Sequence, residues 1–275
     1  MAAFERILFV GCGNMGGAML DGWLAGGLEP SRFTIVSPNR AQAPAGVRLL
    51  RSIPEEKFDA IVLGVKPHML GRVAADVAKV AGADTAILSI LAGVTLDDLR
   101  DRFPRAGSVV RIMPNLAVAL GKSPLALVAD GPDGSGPDSS WRRAFDNFLA
   151  PLGTPEWLPD ETQYDLVTAL AGSGPAFLYR FIDALGSAGR RLGLESEQAD
   201  RLALATVEGA AALAASSPHD PAALADRVAS PGGMTREGLD VLDAGDALID
   251  LLTRTLQKAR DRGAELAEQA RAADG

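Results

Sequence analysis

Six consecutive residues, Ser230–Thr235, have the types and spacing best suited to binding a small anion. Pro231, Gly232 and Gly233 allow the main chain to expose several N–H groups, and Thr235 adds a hydroxyl where a helix is predicted to begin. Turns of this kind and helix N-termini attract anions. The segment therefore predicts a site for a small carboxylate. The alternative interpretation is an ordinary turn between helices, in which Pro231 opens the next helix.

A second glycine-rich segment, Gly11–Gly16, fits the pattern G-x-G-x-x-G between a predicted strand and a predicted helix. The glycines permit a tight turn, close approach of a pyrophosphate and tight helix–strand packing. In this context the motif predicts dinucleotide binding through Gly11, Gly13 and Gly16, with Asn14 and Met15. Cys12 occupies a variable position, which indicates packing rather than a nucleophile.

The end of the second predicted strand indicates which dinucleotide is bound. NAD-binding proteins usually place Asp or Glu there to accept from the ribose 2′-hydroxyl. This chain has Ser37, Asn39 and Arg40 instead, which are donors suited to a 2′-phosphate. We therefore predict NADPH as the cofactor, with NADH as the alternative. A solvated Arg40 is the other interpretation of that residue.

Apolar runs and helical patterns alternate through the first half of the chain, which is typical of a parallel sheet covered by helices. Strands are predicted at Ile7–Val10, Phe33–Val36, Ala60–Val65, Ala86–Leu91 and Val109–Met113. Helices are predicted at Met15–Ala25, Leu70–Val80, Leu96–Phe103 and Trp141–Leu149, the last after a surface loop at Asp130–Ser140. From about Asp160 only helical spacing remains. The pattern predicts two domains, a dinucleotide-binding domain at 1–159 and a helical domain at 160–275.

Composition excludes several classes of protein. The net charge of -8 argues against nucleic-acid binding. The longest apolar stretch, Leu202–Ala215, contains Glu208 and predicts no membrane span. One cysteine allows no internal disulfide and, with no signal peptide expected, indicates a cytoplasmic protein. His68 and His219 are the two histidines, and no metal site is expected.

Five segments occur together in one order: the loop Gly11–Gly16, Gly64–Pro67, Met113–Asn115, Ala171–Pro175 and the turn Ser230–Thr235. In this combination the chain resembles the Δ1-pyrroline-5-carboxylate reductase family, from Ile7 to about Leu266. The resemblance implies an α/β N-terminal Rossmann-like domain plus an all-α C-terminal dimerisation domain. It also implies a homodimer with an active site shared between chains, and some family members assemble five dimers into a decamer.

The resemblance also implies roles for individual residues. The glycine-rich loop would hold the pyrophosphate, and Ser37 with its neighbours the adenosine ribose. Glu161 matches a substrate-site position, and the turn residues Ser230, Gly232, Gly233, Met234 and Thr235 would grip the substrate. The nicotinamide side would be lined by Val65, Lys66 and Pro67, with Ala92 and Asn115 nearby.

Four positions depart from the family pattern. Met234 stands where the family often has Thr or Ala, which makes the wall of the expected pocket bulkier. Leu116 and Ala117 follow Asn115 where many members have Thr-Pro, and Arg227 stands where an amide is common. These departures affect fine contacts rather than the expected reaction.

The reaction implied by the resemblance is hydride transfer from NADPH to the cyclic imine pyrroline-5-carboxylate, which gives L-proline. Thr235 would donate to the ring nitrogen or orient the ring. The rivals are another oxidoreductase of this architecture, such as a β-hydroxyacid dehydrogenase or imine reductase, and a non-catalytic dinucleotide-binding protein. A dehydrogenase of that kind would need a basic lysine in the helical domain, and no lysine occurs between Asp160 and Gln257.

Overall fold

The computed structural model describes residues 4–131, 136 and 139–274. Its central feature is one eight-stranded sheet with the strand order β3-β2-β1-β4-β5-β6-β7-β8. The strands are β1 Ile7–Val10, β2 Phe33–Val36, β3 Arg48–Leu50, β4 Ala60–Leu63, β5 Ala86–Ser89, β6 Ser108–Met113, β7 Ser123–Asp130 and β8 Gly153–Trp157.

Strand β1 lies between β2 and β4 and is parallel to both. The chain order therefore reverses direction at β1, which makes the β1–β4 boundary the topological switch point where ligands bind in such sheets. Parallel pairing extends from β3 to β6, β7 is antiparallel to β6, and β8 is parallel to β7. The predicted parallel sheet and the Rossmann-like fold class are confirmed.

The helices begin and end close to the predicted positions. Helix α2 has the predicted bounds, and α3 begins after Thr95, whose hydroxyl oxygen accepts from the Asp98 N–H at 3.2 Å. The helices are α1 Asn14–Ala25, α2 Leu70–Val80, α3 Leu96–Arg102, α4 Ser140–Leu149, α5 Tyr164–Val167, α6 Gly174–Arg191, α7 Ser196–Ser216, α8 Pro221–Val228, α9 Met234–Asp243 and α10 Ala247–Asp274.

Alternate residues of a strand point to opposite faces of the sheet, and both faces are buried because each packs into a hydrophobic core. Ile7 and Phe9 of β1 pack into the core beneath α1 and α4, whereas Leu8 and Val10 pack into the core beneath α2 and α3. Trp23 anchors the first core, since its indole N–H donates to the Phe148 carbonyl at 2.7 Å and its ring stacks on Phe148.

The chain divides into two compact units. One consists of the residues up to Gly172 together with the segment from Ala259, and the other is Ser173–Lys258. The predicted boundary near Pro159 stays a prediction. Most of the loop predicted at Asp130–Ser140 lies outside the described residues. Among the described helices none has the length and apolar character needed to cross a membrane.

Gly22 provides a test of the packing of α1 against the segments that carry Val118 and Leu152. A Cβ atom at this position would overlap the Val118 carbonyl oxygen and lie 2.8 Å from Leu152 Cδ2. We expect Gly22→Ala to lower the free energy of unfolding by about 1–3 kcal/mol, measured by denaturant titration.

Gly71 of α2 is the matched control, because a Cβ there would have no neighbour within 4 Å. Gly71→Ala should be neutral or stabilise the protein by up to about 1 kcal/mol, since Ala favours helices. Equal effects of the two substitutions would contradict the packing described here.

Candidate active site

The loops after β1 and β4 meet by direct backbone contact at the switch point. Gly11 has a φ of +80°, and a Cβ there would lie 2.7 Å from the Val65 nitrogen. A Cβ on Gly64 would lie 2.6 Å from the Gly11 carbonyl oxygen. Both positions therefore require glycine, the first also for its left-handed backbone. Sequence reasoning assigned this need to Gly11 but not to Gly64.

The other glycines of the loop serve different purposes. A Cβ on Gly13 would meet nothing within 4 Å, so this side of the loop is open to a ligand. A Cβ on Gly16 would lie 3.6 Å from the Phe9 ring. This is an ordinary van der Waals distance, so the packing of α1 on the sheet leaves room for a Cβ at this position.

The N-terminus of α1 is suited to a pyrophosphate. Gly13 caps the helix without a side-chain hydrogen bond, and the first bond within the helix runs from the Gly17 N–H to the Gly13 carbonyl at 2.8 Å. The N–H groups of Asn14, Met15 and Gly16 therefore have no partner within the helix. Unpaired N–H groups and the helix dipole together favour an anion. The residues present fit a dinucleotide.

Arg40 lies against the glycine-rich loop. Its Nη1 donates to the Cys12 carbonyl at 3.0 Å, and its Nε donates to the Gln42 carbonyl at 2.8 Å. Arg40 is thus half-buried and bonded to the loop in this structure, and its predicted contact with a 2′-phosphate stays a prediction. Cys12 is buried, and burial raises the pKa of its thiol. A raised pKa disfavours the thiolate, which agrees with packing rather than nucleophilic chemistry.

Arg51 fixes the loop that carries Ser37, Asn39 and Arg40. One of its nitrogens, Nη1, lies 3.0 Å from the Ser37 carbonyl, 2.7 Å from that of Pro38 and 2.9 Å from that of Arg40. Sequence reasoning missed Arg51, because it follows a short strand, β3, that the apolar pattern did not indicate. The sequence carried no signal that links it to the end of β2.

The residues predicted for the nicotinamide side all follow carboxyl ends of parallel strands. Val65, Lys66 and Pro67 follow β4, and the Lys66 side chain is exposed. Ala92 follows β5 and is exposed. The structure thus brings these residues to the same edge of the sheet as the glycine-rich loop.

Asn115 follows β6 but is engaged with the protein's own main chain. Its Nδ2 donates to the Ala171 carbonyl at 3.0 Å, and its Oδ1 accepts from the Ala117 N–H at 2.9 Å. The side chain is buried. Asn115 therefore anchors the segment before α6, and its predicted contact with the cofactor stays a prediction.

Glu161 is held by a buried cation. Its carboxylate accepts from the Leu96 N–H at 2.9 Å and forms an ion pair with Arg111. The guanidinium of Arg111 in turn lies over the Tyr164 ring, with its central carbon 3.7 Å from the ring centroid. Burial raises the pKa of the Tyr164 hydroxyl and keeps it neutral. Glu161 thus joins β6 to the start of α3, and its predicted substrate contact stays a prediction.

The turn Ser230–Thr235 lies in the second unit and connects α8 to α9. Gly232 has a φ of +68°, and Gly233 is the N-cap of α9. Pro231 precedes the helix by three positions and does not open it. Met234 is 93% exposed, so its side chain closes no pocket within this unit.

One expected donor of the turn is already used. The Gly233 N–H donates to the Ser230 carbonyl at 2.9 Å, whereas the first bond within α9 runs from Glu237 to Gly233 at 3.3 Å. The donors without a helical partner are therefore those of Met234, Thr235 and Arg236. Of the predicted donors, Met234 and Thr235 thus remain available and Gly233 does not, and the anion site itself stays a prediction.

A Rossmann-type sheet with an open glycine-rich loop and an ordered arginine at the second strand, followed by a helical region, defines an NADP-dependent oxidoreductase. Residues 6–93 match the family model described as NADP oxidoreductase, coenzyme F420-dependent. Residues 161–266 match the model for pyrroline-5-carboxylate reductase dimerisation.

Individual reductases are similar to this chain over nearly its whole length. The pyrroline-5-carboxylate reductase of Pseudomonas aeruginosa is 35% identical over 96% of this chain and 97% of its own length. That of Aquifex aeolicus is 33% identical over 93% of this chain and 96% of its own. The solved structure of the Coxiella burnetii reductase has a TM-score of 0.86 at 28% identity, covering 96% of this chain and 98% of that one.

The chain belongs to the pyrroline-5-carboxylate reductase family. The resemblance drawn from the five sequence segments is confirmed, as is the assignment to NAD(P)H-dependent oxidoreductases that act on a C=N bond. NADPH as cofactor is also confirmed: the matched N-terminal family is that of an NADP oxidoreductase. A Plasmodium falciparum pyrroline carboxylate reductase of the same fold, with a TM-score of 0.74, 23% identity and coverage of 98% of this chain and 99% of that one, was crystallised with NADP bound.

Arg51 provides a test of cofactor selection. Arg51→Ala should release the loop that carries Ser37 and Arg40, so that kcat/KM for NADPH falls about tenfold while that for NADH changes little. Initial rates with each cofactor measure the ratio.

Arg48→Ala is the control, because Arg48 contacts Glu56 at 2.8 Å and has no bond to the loop. This variant should keep the wild-type ratio. An equal loss with both cofactors in Arg51→Ala would show that the loop does not select the 2′-phosphate.

Proposed function

We propose that this chain reduces L-1-pyrroline-5-carboxylate to L-proline with NADPH, the last step of proline biosynthesis. The observation that carries the proposal is the N-terminus of α9, where three unpaired N–H groups stand beside the Thr235 hydroxyl. A cyclic imine with a carboxylate offers matching groups, an anion for the N–H groups and a ring nitrogen for the hydroxyl. The open glycine-rich loop supports the cofactor part of the proposal.

The nucleotide is held by the first unit in this proposal. The pyrophosphate lies on the N-terminus of α1, formed by Gly11, Gly13, Asn14, Met15 and Gly16. Ser37, Asn39 and Arg40 bind the adenosine ribose and its 2′-phosphate, and Val65, Lys66, Pro67, Ala92 and Asn115 line the nicotinamide side. When bound, NADPH supplies the hydride that adds to the imine carbon.

The turn Ser230–Thr235 binds and orients the substrate in this proposal. The N–H groups of Met234 and Thr235, with that of Arg236, hold the carboxylate and so fix the ring. The Thr235 hydroxyl donates to the ring nitrogen or accepts from it once it is protonated. A protonated imine needs one hydride and no further proton, so that positioning accounts for most of the rate enhancement. Reduction of an imine that is already protonated therefore requires no strong acid on the protein.

The helical region forms a homodimer. Residues 161–266 match the dimerisation domain of the family, and several helices of the second unit carry exposed apolar side chains. They include Leu178, Phe181 and Leu185 of α6 and Leu202 and Leu213 of α7. Unpartnered apolar residues of this number indicate an interface. We propose further that five dimers assemble into a decamer. The proposed domains are 1–159 and 160–275. The proposed location of the protein is the cytoplasm.

The reaction is tested by the loss of absorbance of reduced nicotinamide with pyrroline-5-carboxylate as substrate. Turnover is expected with NADPH and, more slowly, with NADH. A simple β-hydroxyacid with NADP should give none, because its oxidation needs a base that the helical region does not provide. Binding of NADPH without turnover of the imine would refute the proposed function.

Thr235 is tested separately. Thr235→Ala should lower kcat at least about tenfold, because the ring nitrogen loses its hydrogen-bond partner in the transition state. The KM for NADPH should stay unchanged, since Thr235 belongs to the second unit. Thr235→Ser keeps the hydroxyl and should retain most of the activity. A fully active Thr235→Ala enzyme would remove Thr235 from the mechanism.

A further inference from the structure

We propose that Arg236 is a positioning residue, which holds the substrate turn between α8 and α9 and offsets the charge of three neighbouring aspartates. The proposal rests on the function proposed above, because it assigns this side chain a part in binding an anionic substrate. It concerns the side chain of Arg236 and adds to the part already given to its N–H group.

The Arg236 guanidinium joins both helices that flank the turn. Its Nη1 lies 3.4 Å from the Asp226 carboxylate of α8. Its Nε lies 2.8 Å from Asp240, and its Nη2 lies 3.1 Å from Asp243, both on α9. One side chain therefore connects the last turn of α8 to the body of α9 across Ser230–Gly233. This restrains the spacing of the two helices and, with it, the direction of the free N–H groups.

The position of Arg236 is unfavourable for the helix itself. It is the third residue of α9, where the helix dipole favours carboxylates and disfavours cations. A cation in the first turn thus opposes the local preference. Such conflicts between local preference and structure concentrate at functional sites, which supports a role in binding an anion beside this helix end.

The charges around Arg236 also support its proposed role in substrate binding. We call Asp226, Asp240 and Asp243 the aspartate cluster. Asp240 lies six residues after Met234, which is about 9 Å along the helix axis. That distance exceeds the Debye length of about 8 Å at physiological ionic strength but lies well within the value of about 30 Å at 0.01 M, so that the field of the cluster reaches the anion site at low ionic strength and is screened by added salt. Arg236 compensates one of the three negative charges, so that its removal changes the net charge of this group from -2 to -3 and strengthens the repulsion of the substrate carboxylate.

The test compares Arg236→Gln with wild type in the imine reduction assay. The KM for pyrroline-5-carboxylate should rise about fivefold at low ionic strength, whereas kcat and the KM for NADPH stay within about twofold. The ratio of the variant KM to the wild-type KM should fall as salt is added, because salt screens the aspartate cluster. Arg236→Lys should recover part of the loss, since it restores the charge without the planar fork.

Two further variants separate this role from a general effect on folding. Arg201→Gln removes an exposed arginine of α7 that pairs with Glu197 at 3.4 Å, and its KM should equal that of wild type. Arg236→Gln combined with Asp226→Asn should have a lower KM than Arg236→Gln alone, because one of the repelling charges is gone.

An unchanged KM in Arg236→Gln, or a raised KM that does not respond to salt or to Asp226→Asn, would overturn the proposal. These outcomes are distinct from failure of the proposed function, which would appear as an inactive wild-type enzyme that still binds NADPH.

Discussion

Contact between the backbones of two loops is the constraint on which the nucleotide side of this protein depends. Gly11 and Gly64 touch at the switch point of the sheet, where neither position has room for a Cβ atom. The contact brings the end of β1 beside the end of β4, so that α1 begins directly above the crevice. Its first N–H groups have no partner within the helix, and the neighbouring Gly13 leaves open space beside them. A single close approach thus creates both the space and the charge complementarity that a pyrophosphate needs.

The N-terminus of α9, proposed to bind the substrate, resembles the N-terminus of α1 in structure but not in surroundings. Helix α9, like α1, begins at a glycine cap without a side-chain hydrogen bond, and both helices present unpaired N–H groups. The difference lies in the surroundings. Arg40 and Arg51 order the second-strand loop near α1, whereas Arg236 is set among three aspartates beside α9. The sites proposed for the multiply charged cofactor and for the small monoanionic substrate therefore differ in net charge.

Sequence reasoning located the parallel strands β1, β2 and β4–β6, because each is a buried apolar run before a turn. It missed β3 and β8, which are half-exposed and carry little apolar pattern, and it missed the antiparallel β7. The glycine-rich loop was readable from spacing alone. The ion pair of Glu161 with Arg111 and the hydrogen bond from Asn115 to Ala171 could not be predicted, because they join residues far apart in the chain. The engaged N–H of Gly233 depends on the fold of the turn, which composition cannot reveal.

The three carbonyl contacts of Arg51 have a consequence for redesign. The loop proposed to bind the adenosine ribose is held by a residue eleven positions beyond Arg40, on the far side of a strand. If only Ser37–Arg40 were replaced by the corresponding segment of an NADH-dependent enzyme, Arg51 would still hold the new loop in the conformation of the original one. Exchange of coenzyme in this protein therefore requires the loop and its support to be replaced as one unit.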